Sequence, residues 1–277
     1  MRKSMINTRN PNLGDWTRWG KRKDNLKFFA EALRVMNDEY HLGNGGMLTI
    51  GMIGSRDIPG VTLRRAQAVT RWDRRPSLWS HCFLIAGSRD ETGNIGRLPI
   101  MEIPLFSRGK EFPLPELNGL NRATLADYRD LELHANVALL AVCRRHGSDL
   151  AALNDSDLES VRSRANEPNH DRLRYDLWES LSAWQRYMWQ EAEGPNPARN
   201  GIPIPCSAYV EMVFEAIGLD LVPSASERNS SPEHLWNAAV WWYPGGERPA
   251  RAPDTRFALT GCYVLRDKGC AQLSHDE

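Results

Sequence analysis

Three side chains in this sequence have the types and settings needed for covalent acyl chemistry. Cys206 stands where the segment PNPARNGIPIP meets SAYVEMVFEAIG. Pro203 and Pro205 exclude a helix before it, and the residues after it form a good amphipathic helix that Gly218 ends. A thiol at a helix N-terminus sits among unsatisfied N–H groups and the positive end of the dipole. Both stabilise the thiolate, the form that attacks a carbonyl. His81 opens the apolar run WSHCFLIAG, where an imidazole at a strand start projects into a cleft and serves as base. Glu102 is a lone carboxylate between Met101 and Ile103, awkward to bury without a partner. On a strand next to that of His81 it would hold the imidazole, the third role in a nucleophile–base–orienter set. Taken singly, each has a plainer explanation. A buried cysteine often only packs, a histidine at a strand start is often structural, and simple alternation would turn Glu102 to water.

The elements that must position these groups are legible from periodicity. Residues 1–22 read as a polar, turn-rich arm. Asp24 caps a helix reaching about Tyr40, with Leu26, Phe29, Leu33 and Met36 on one face. Strands are expected at 47–54, 79–87 and 97–105, the last two paired as a hairpin. A helix is expected from about Thr62 to Trp72 between the first two. ATLADYR reads as a short helix or loop, and NVALLAV (136–142) as a buried strand. Helices follow near DLESVRSRA and over RLRYDLWESLSAWQRYMW, then the nucleophile helix and a short helix in SPEHLWNAAVWW. RFALTGCYVL (256–265) closes as a strand.

The order of these pieces resembles the permuted papain-like cysteine hydrolases, the NlpC-related group that includes the YiiX/YaeF-like amidases. Four segments carry the likeness: LTIGMIGSRDIPGVTLRRAQAVTR before the His strand, WSHCFLIAG itself, IMEIPL with its central acid, and PCSAYVEMVFEAIG with a Cys-Ser opening a helix. SPEHL fits the Ser-Pro-acid segment that follows the Cys helix in that group. In papain the Cys precedes the His. In this group, as here, the order is reversed by circular permutation. The likeness covers roughly residues 46–240. The Gly-Asp that often precedes the group's first strand is replaced here by the context GNGGMLTIG. The stretch between Glu102 and Cys206 is long, and the first 45 residues have no counterpart.

The resemblance implies an α+β fold, a circularly permuted papain-like antiparallel sheet packed on the nucleophile helix with extra helices around it. Residues 46–277 would form the catalytic domain and 1–45 an N-terminal arm and helix. It assigns Cys206 as nucleophile, His81 as base and Glu102 as the orienting group. Ser207, Tyr209 and Tyr175 are candidates to line the substrate cleft, with Tyr209 three residues along the Cys helix and equally suited to packing. The implied reaction is cleavage of an amide, peptide or isopeptide, through an acyl-enzyme, with peptide, peptidoglycan or acyl-lipid substrates. An acyltransferase or lipid (thio)esterase on the same fold is the alternative enzyme, and a non-catalytic binding module the alternative outside catalysis.

Composition narrows the field. The chain has 277 residues with 35 Lys+Arg against 35 Asp+Glu, and the missing basic excess argues against a nucleic-acid partner. Hydrophobic residues at 41% and charged residues at 25% are ordinary for a globular chain. The five cysteines are odd in number and lack CxxC spacing, which fits neither a disulfide framework nor a zinc finger. The other histidines show no metal spacing, so no metal or cofactor is called for. The N-terminus is basic without an apolar stretch behind it, and no segment approaches bilayer length. The expected location is the cytoplasm, or export without a cleavable signal peptide. Cys82 reads as core and GNGG at 43–46 as a turn; Trp236, Trp241 and Trp242 could bind a sugar or acyl chain, but packing against the body is the favoured reading.

Overall fold

The computed structural model describes residues 24–40, 49–87, 94–105, 120–146, 149–167, 171–189, 194–222, 230–242 and 256–266. They build a mixed α+β fold on one antiparallel sheet. The strands are β1 (Thr49–Ser55), β2 (His81–Ile85), β3 (Pro99–Glu102), β4 (Asn121–Thr124), β5 (His134–His146), β6 (Asp149–Ala151) and β7 (Phe257–Leu265). Six run in the order β4-β3-β2-β1-β5-β6, and β7 pairs with β5. Six helices surround them among the described residues: α1 (Leu26–Tyr40), α2 (Ile58–Ala66), α3 (Asp155–Ala165), α4 (Asp171–Trp189), α5 (Pro205–Glu215) and α6 (Pro232–Trp242). None of them is long and apolar enough to cross a membrane.

The sheet is buried on both faces. Phe83, Ile85, Ile100, Val137 and Leu139 pack under α1, which contributes Phe28, Phe29, Leu33 and Met36. The helix that precedes the expected boundary at residue 45 therefore shares its core with the strands that follow. Cys82, Leu84, Met101, Ala138 and Leu140 point the other way, toward Leu181 and Trp184 of α4 and Val210 and Val213 of α5. A strand covered on both faces loses its polar alternation. That is why NVALLAV reads as continuously apolar, and why its strand extends to the full His134–His146.

Several expected boundaries move, each for a local reason. The helix placed from Thr62 to Trp72 begins at Ile58 and gives way to a 3-10 turn at Gln67–Thr70. Asp57 caps it, accepting from the Gly60 N–H at 2.7 Å. Pro59 falls in the first turn, where its missing N–H costs nothing. The strand expected over 97–105 shrinks to Pro99–Glu102, because Asn94 caps a 3-10 turn at Ile95–Arg97. ATLADYR becomes a 3-10 turn at Leu125–Tyr128, closed by a Thr124–Asp127 capping box and preceded by the short β4. The strand expected over 47–54 corresponds to β1, and the GNGG turn and the N-terminal arm over 1–22 lie outside the described residues.

One glycine in β1 is required by close approach. A Cβ on Gly51 would lie 2.1 Å from the Phe83 ring on the neighbouring strand. Gly51→Ala should therefore lower unfolding stability by about 1–3 kcal/mol through overpacking. Urea melts of the variant against the native chain check this, and an unchanged midpoint would show that the ring can move aside.

Candidate active site

Helix α5 carries Cys206 into the core. Ile204 is its N-cap with no side-chain cap, and Pro205 occupies the first helical position. The Ile204 carbonyl accepts from the backbone N–H groups of Ser207 and Ala208, both at 3.1 Å, and from the Ser207 hydroxyl at 2.9 Å. Cys206 is the second helical residue, so helix geometry leaves its own N–H without an intrahelical acceptor. That N–H is the natural donor to an oxyanion formed on a carbonyl attacked by the Cys206 sulfur.

The sulfur lies at the start of β2. It is within hydrogen-bonding contact of the His81 ring, of the Cys82 thiol and of the Cys82 backbone N–H. Consecutive strand residues point to opposite faces, yet both touch one atom. His81 is the first residue of its strand, so its ring stands at the end of the strand and not within the ladder.

Behind His81 stands the carboxylate. His81 Nε2 and Glu102 Oε2 are 2.8 Å apart, which leaves Nδ1 as the nitrogen facing Cys206. The β2–β3 register pairs Leu84 with Met101, so Phe83 is opposite Glu102 and His81 is its diagonal neighbour on the same face. Glu102 is completely buried. Tyr128 donates its hydroxyl to Oε2 at 2.5 Å, and Asn121 donates its side-chain N–H to Oε1 at 3.3 Å. The Tyr128 ring is itself stacked on Phe83, with centroids 5.0 Å apart. The carboxylate is thus solvated by fixed protein donors in place of water, which holds both it and the imidazole in one geometry.

Electrostatics favour a thiolate–imidazolium pair. Burial pushes the Cys206 thiol up, but the hydrogen bond from Cys82 and the charge and hydrogen bond of His81 outweigh it, bringing the thiol down to about 5. Burial pushes His81 down, but the Cys206 charge and hydrogen bond, then the Glu102 hydrogen bond and charge, raise it to about 9. Two groups this close titrate as a pair. Between those values the charged form of the pair dominates. Cys82 moves the opposite way, well above an ordinary thiol, because it is buried beside the Cys206 sulfur. Burial alone raises Cys143 to about 12.

The structure thus brings Cys206, His81 and Glu102 together, and it corrects the candidates for the cleft. Ser207 is fully buried with its hydroxyl committed to Ile204. Tyr209 is fully buried, its hydroxyl donating to the Ala165 carbonyl at 2.9 Å. Both side chains serve the helix and its packing, not a cleft. Tyr175 lies on α4 at a position whose side chain falls outside the described residues. Trp236 packs between Trp79 and Tyr263, with centroids at 4.8 and 5.1 Å, as expected of a packing group. The side chains of Trp241 and Trp242 lie outside the described residues.

Sequence reasoning missed Tyr128 and Asn121, and it placed Cys82 in the core without its contact to the nucleophile. Tyr128 and Asn121 sit on a short strand and a 3-10 turn that no periodicity announces. Cys82 was recoverable, because a strand packed under the nucleophile helix turns the residue after the histidine toward that helix. Among the described residues no group of three His, Cys, Asp or Glu is arranged to hold a metal ion. No family model, curated protein or solved structure matches the chain.

Proposed function

We propose that this protein is a cysteine-dependent hydrolase that cleaves an amide bond through an acyl-enzyme, on a circularly permuted papain-like fold. The observation that carries this reading is the buried Cys206–His81–Glu102 relay, in which a lowered thiol meets a raised imidazole backed by a carboxylate. An antiparallel sheet packed on the nucleophile helix, with the His strand preceding the Cys helix in the chain, supports the fold assignment. The contact between His81 and Cys206 speaks against a non-catalytic binding module, which expects the two side chains out of reach.

In the reaction the Cys206 thiolate attacks the carbonyl carbon, and its own N–H steadies the oxyanion. The C–N bond breaks as His81 gives its Nδ1 proton to the leaving nitrogen. Water then attacks the thioester, yields its proton to His81, and Cys206 departs as thiolate. Glu102 accepts the Nε2–H and keeps the ring oriented through both steps.

The test is acyl-enzyme capture. p-Nitrophenyl acetate should give a burst of nitrophenolate and one acetyl group on Cys206 by peptide mass mapping. Hydroxylamine should accelerate release if the thioester is open to nucleophiles, and acceptance of larger amines in preference to water would mark a transferase. A chain that shows no burst, or whose Cys206→Ala variant acetylates equally, is not this enzyme.

A further inference from the structure

Beside the segment that leads into α5 lie two neighbouring cavities that share Thr70, Ala198 and Arg199 as a common wall. The inner one, about 320 Å³, has an apolar floor of Trp184, Ile202 and Ile204, with Ser230, Ser231 and His234 across from it. Ile204 is the N-cap of α5, two residues before Cys206, and its N–H donates to the Ser230 carbonyl at 2.8 Å. The Ser230 hydroxyl is buried and has no hydrogen-bond partner among the described residues. The outer cavity, about 820 Å³, is lined by Arg65 and Arg74 in addition to Arg199. Among the described residues no carboxylate lines either cavity.

Three arginines line the outer cavity with no carboxylate beside them among the described residues, in a chain whose total charge is zero. Most other arginines nearby are spent. Arg71 is tied to Asp73 at 2.8 Å and to Glu233 at 2.6 Å, and Arg64 donates to the carbonyls of Ser77 and Ser55. Arg65 and Arg199 have no ion-pair partner among the described residues. Among the described residues the Arg74 guanidinium donates to the Val69 carbonyl, at 2.8 Å, and meets no carboxylate. Its backbone adopts φ 57, a left-handed conformation that a non-glycine residue keeps only when its surroundings enforce it. The enforcement is visible in the buried Arg71–Asp73–Glu233 network, with Ser77 donating to Glu233 at 2.7 Å, which pins this turn to α6. The same turn leaves Trp72 83% exposed between Thr70 and Arg74 in the chain. The turn thus carries an exposed indole next to a charged side chain on the rim of the outer cavity.

We propose that these cavities form one subsite for an acidic peptide, an apolar side chain entering the inner cavity while adjacent carboxylates meet Arg199, Arg65 and Arg74. This rests on the hydrolase reading and names its substrate class. The anion attraction comes from the arginines and the spare Ser230 hydroxyl. The start of α6 adds little, because Gln67 takes the Glu233 N–H and Ser231 takes the His234 N–H. Guanidinium groups pair with carboxylates through two parallel hydrogen bonds, which gives the site direction as well as charge.

The experiment is fluorescence anisotropy on the full-length Cys206→Ala chain, which cannot turn the peptide over. The probes are a fluorescein-labelled peptide of leucine followed by glutamates and its glutamine isostere. The acidic probe should bind roughly tenfold or more tightly than the isostere at low salt, and the gap should close as ionic strength rises. Arg199→Glu with Arg65→Glu should abolish the preference, whereas Arg199→Lys should keep much of it, with circular dichroism confirming that each variant folds. Equal binding of the two probes overturns the proposal, as does an acidic preference that survives the double reversal. Tighter binding of a short single-stranded RNA at the same arginines overturns it in favour of a nucleic-acid site. The two readings fail separately. Probe discrimination without Cys206 acetylation in the native chain sinks the hydrolase alone, and acetylation without discrimination sinks this subsite alone.

Discussion

At about pH 6, iodoacetamide should modify Cys206 several hundredfold faster than Cys143, and its rate should already be near its plateau. A thiol held at about 5 is almost wholly thiolate at that pH, whereas one pushed to about 12 is ionised in roughly one molecule per million. The low-pKa thiolate is the weaker nucleophile, by about 0.4–0.5 log units in rate per unit of pKa, which takes back roughly three of the six orders of magnitude. The remainder is still large. Against an ordinary thiol at 9.0 the same arithmetic leaves only about tenfold, so the pH profile is the sharper observable. The Cys206 rate should rise through a limb near 5 and then level off. Cys206 is only 1% exposed, so the small reagent must enter along the edge of His81, whose side chain is 15% exposed. His81→Ala removes the His81 charge and hydrogen bond, leaving the Cys82 hydrogen bonds alone to oppose the burial that pushes the thiol up. The limb should then shift to higher pH, and the rate at about pH 6 should drop by roughly tenfold or more. A native chain whose Cys206 rate climbs only through the ordinary thiol range has no ion pair, and the nucleophile assignment goes with it.

The parts of this site visible in the sequence were those with a local signature. Two prolines and an amphipathic helix announce the position of Cys206. Trp79 and Ser80 ahead of an apolar run announce the strand that His81 begins. Glu102 was visible as a charge out of place, but its direction was not. Alternation with Met101 and Ile103 argued for water on the Glu102 side, and that argument assumes a sheet with one wet face. Here α1 and the strands beside it bury that face, so Glu102 points into a second core and must find partners there. The partners, Tyr128 and Asn121, are 26 and 19 residues away in the chain and come from elements too short for any period to register. The same assumption hid the role of Cys82. Alternation correctly turns it away from Phe83, but only the packing of α5 shows that the other side holds the nucleophile. Tyr209 erred in the opposite direction: a polar tip near a nucleophile looks like a cleft residue until a carbonyl, here that of Ala165, is found to satisfy it.

Glu102→Gln should slow turnover on the order of tenfold to a hundredfold and pull the alkaline limb of activity down from about 9, while the fold survives. The fold survives because the substitution keeps the shape and most of the bonds. An amide oxygen at the Oε2 position still accepts from Tyr128 and His81. The amide NH2 then faces the Asn121 side chain, which can turn its own oxygen to meet it. What disappears is the negative charge that favours the protonated ring. His81 stays buried and keeps its bond to Cys206, so it remains raised by that partner, though less than in the native chain. The sign follows directly. The active form needs Cys206 deprotonated and His81 protonated, so activity rises through the Cys206 limb and falls through the His81 limb, and lowering His81 narrows the bell from its alkaline side. The acid limb should rise as well, because a less readily protonated ring stabilises the thiolate less. Cys206→Ala should leave no turnover at all, since Cys82, the neighbouring thiol, stays raised by its burial, the largest cause of its shift, after the Cys206 charge is gone. Thermal melts and far-UV circular dichroism of both variants separate these effects from loss of structure. If Glu102→Gln turns over at the native rate with both limbs unmoved, the buried carboxylate is a packing feature of the second core, and His81 owes its orientation to Cys206 and the start of β2.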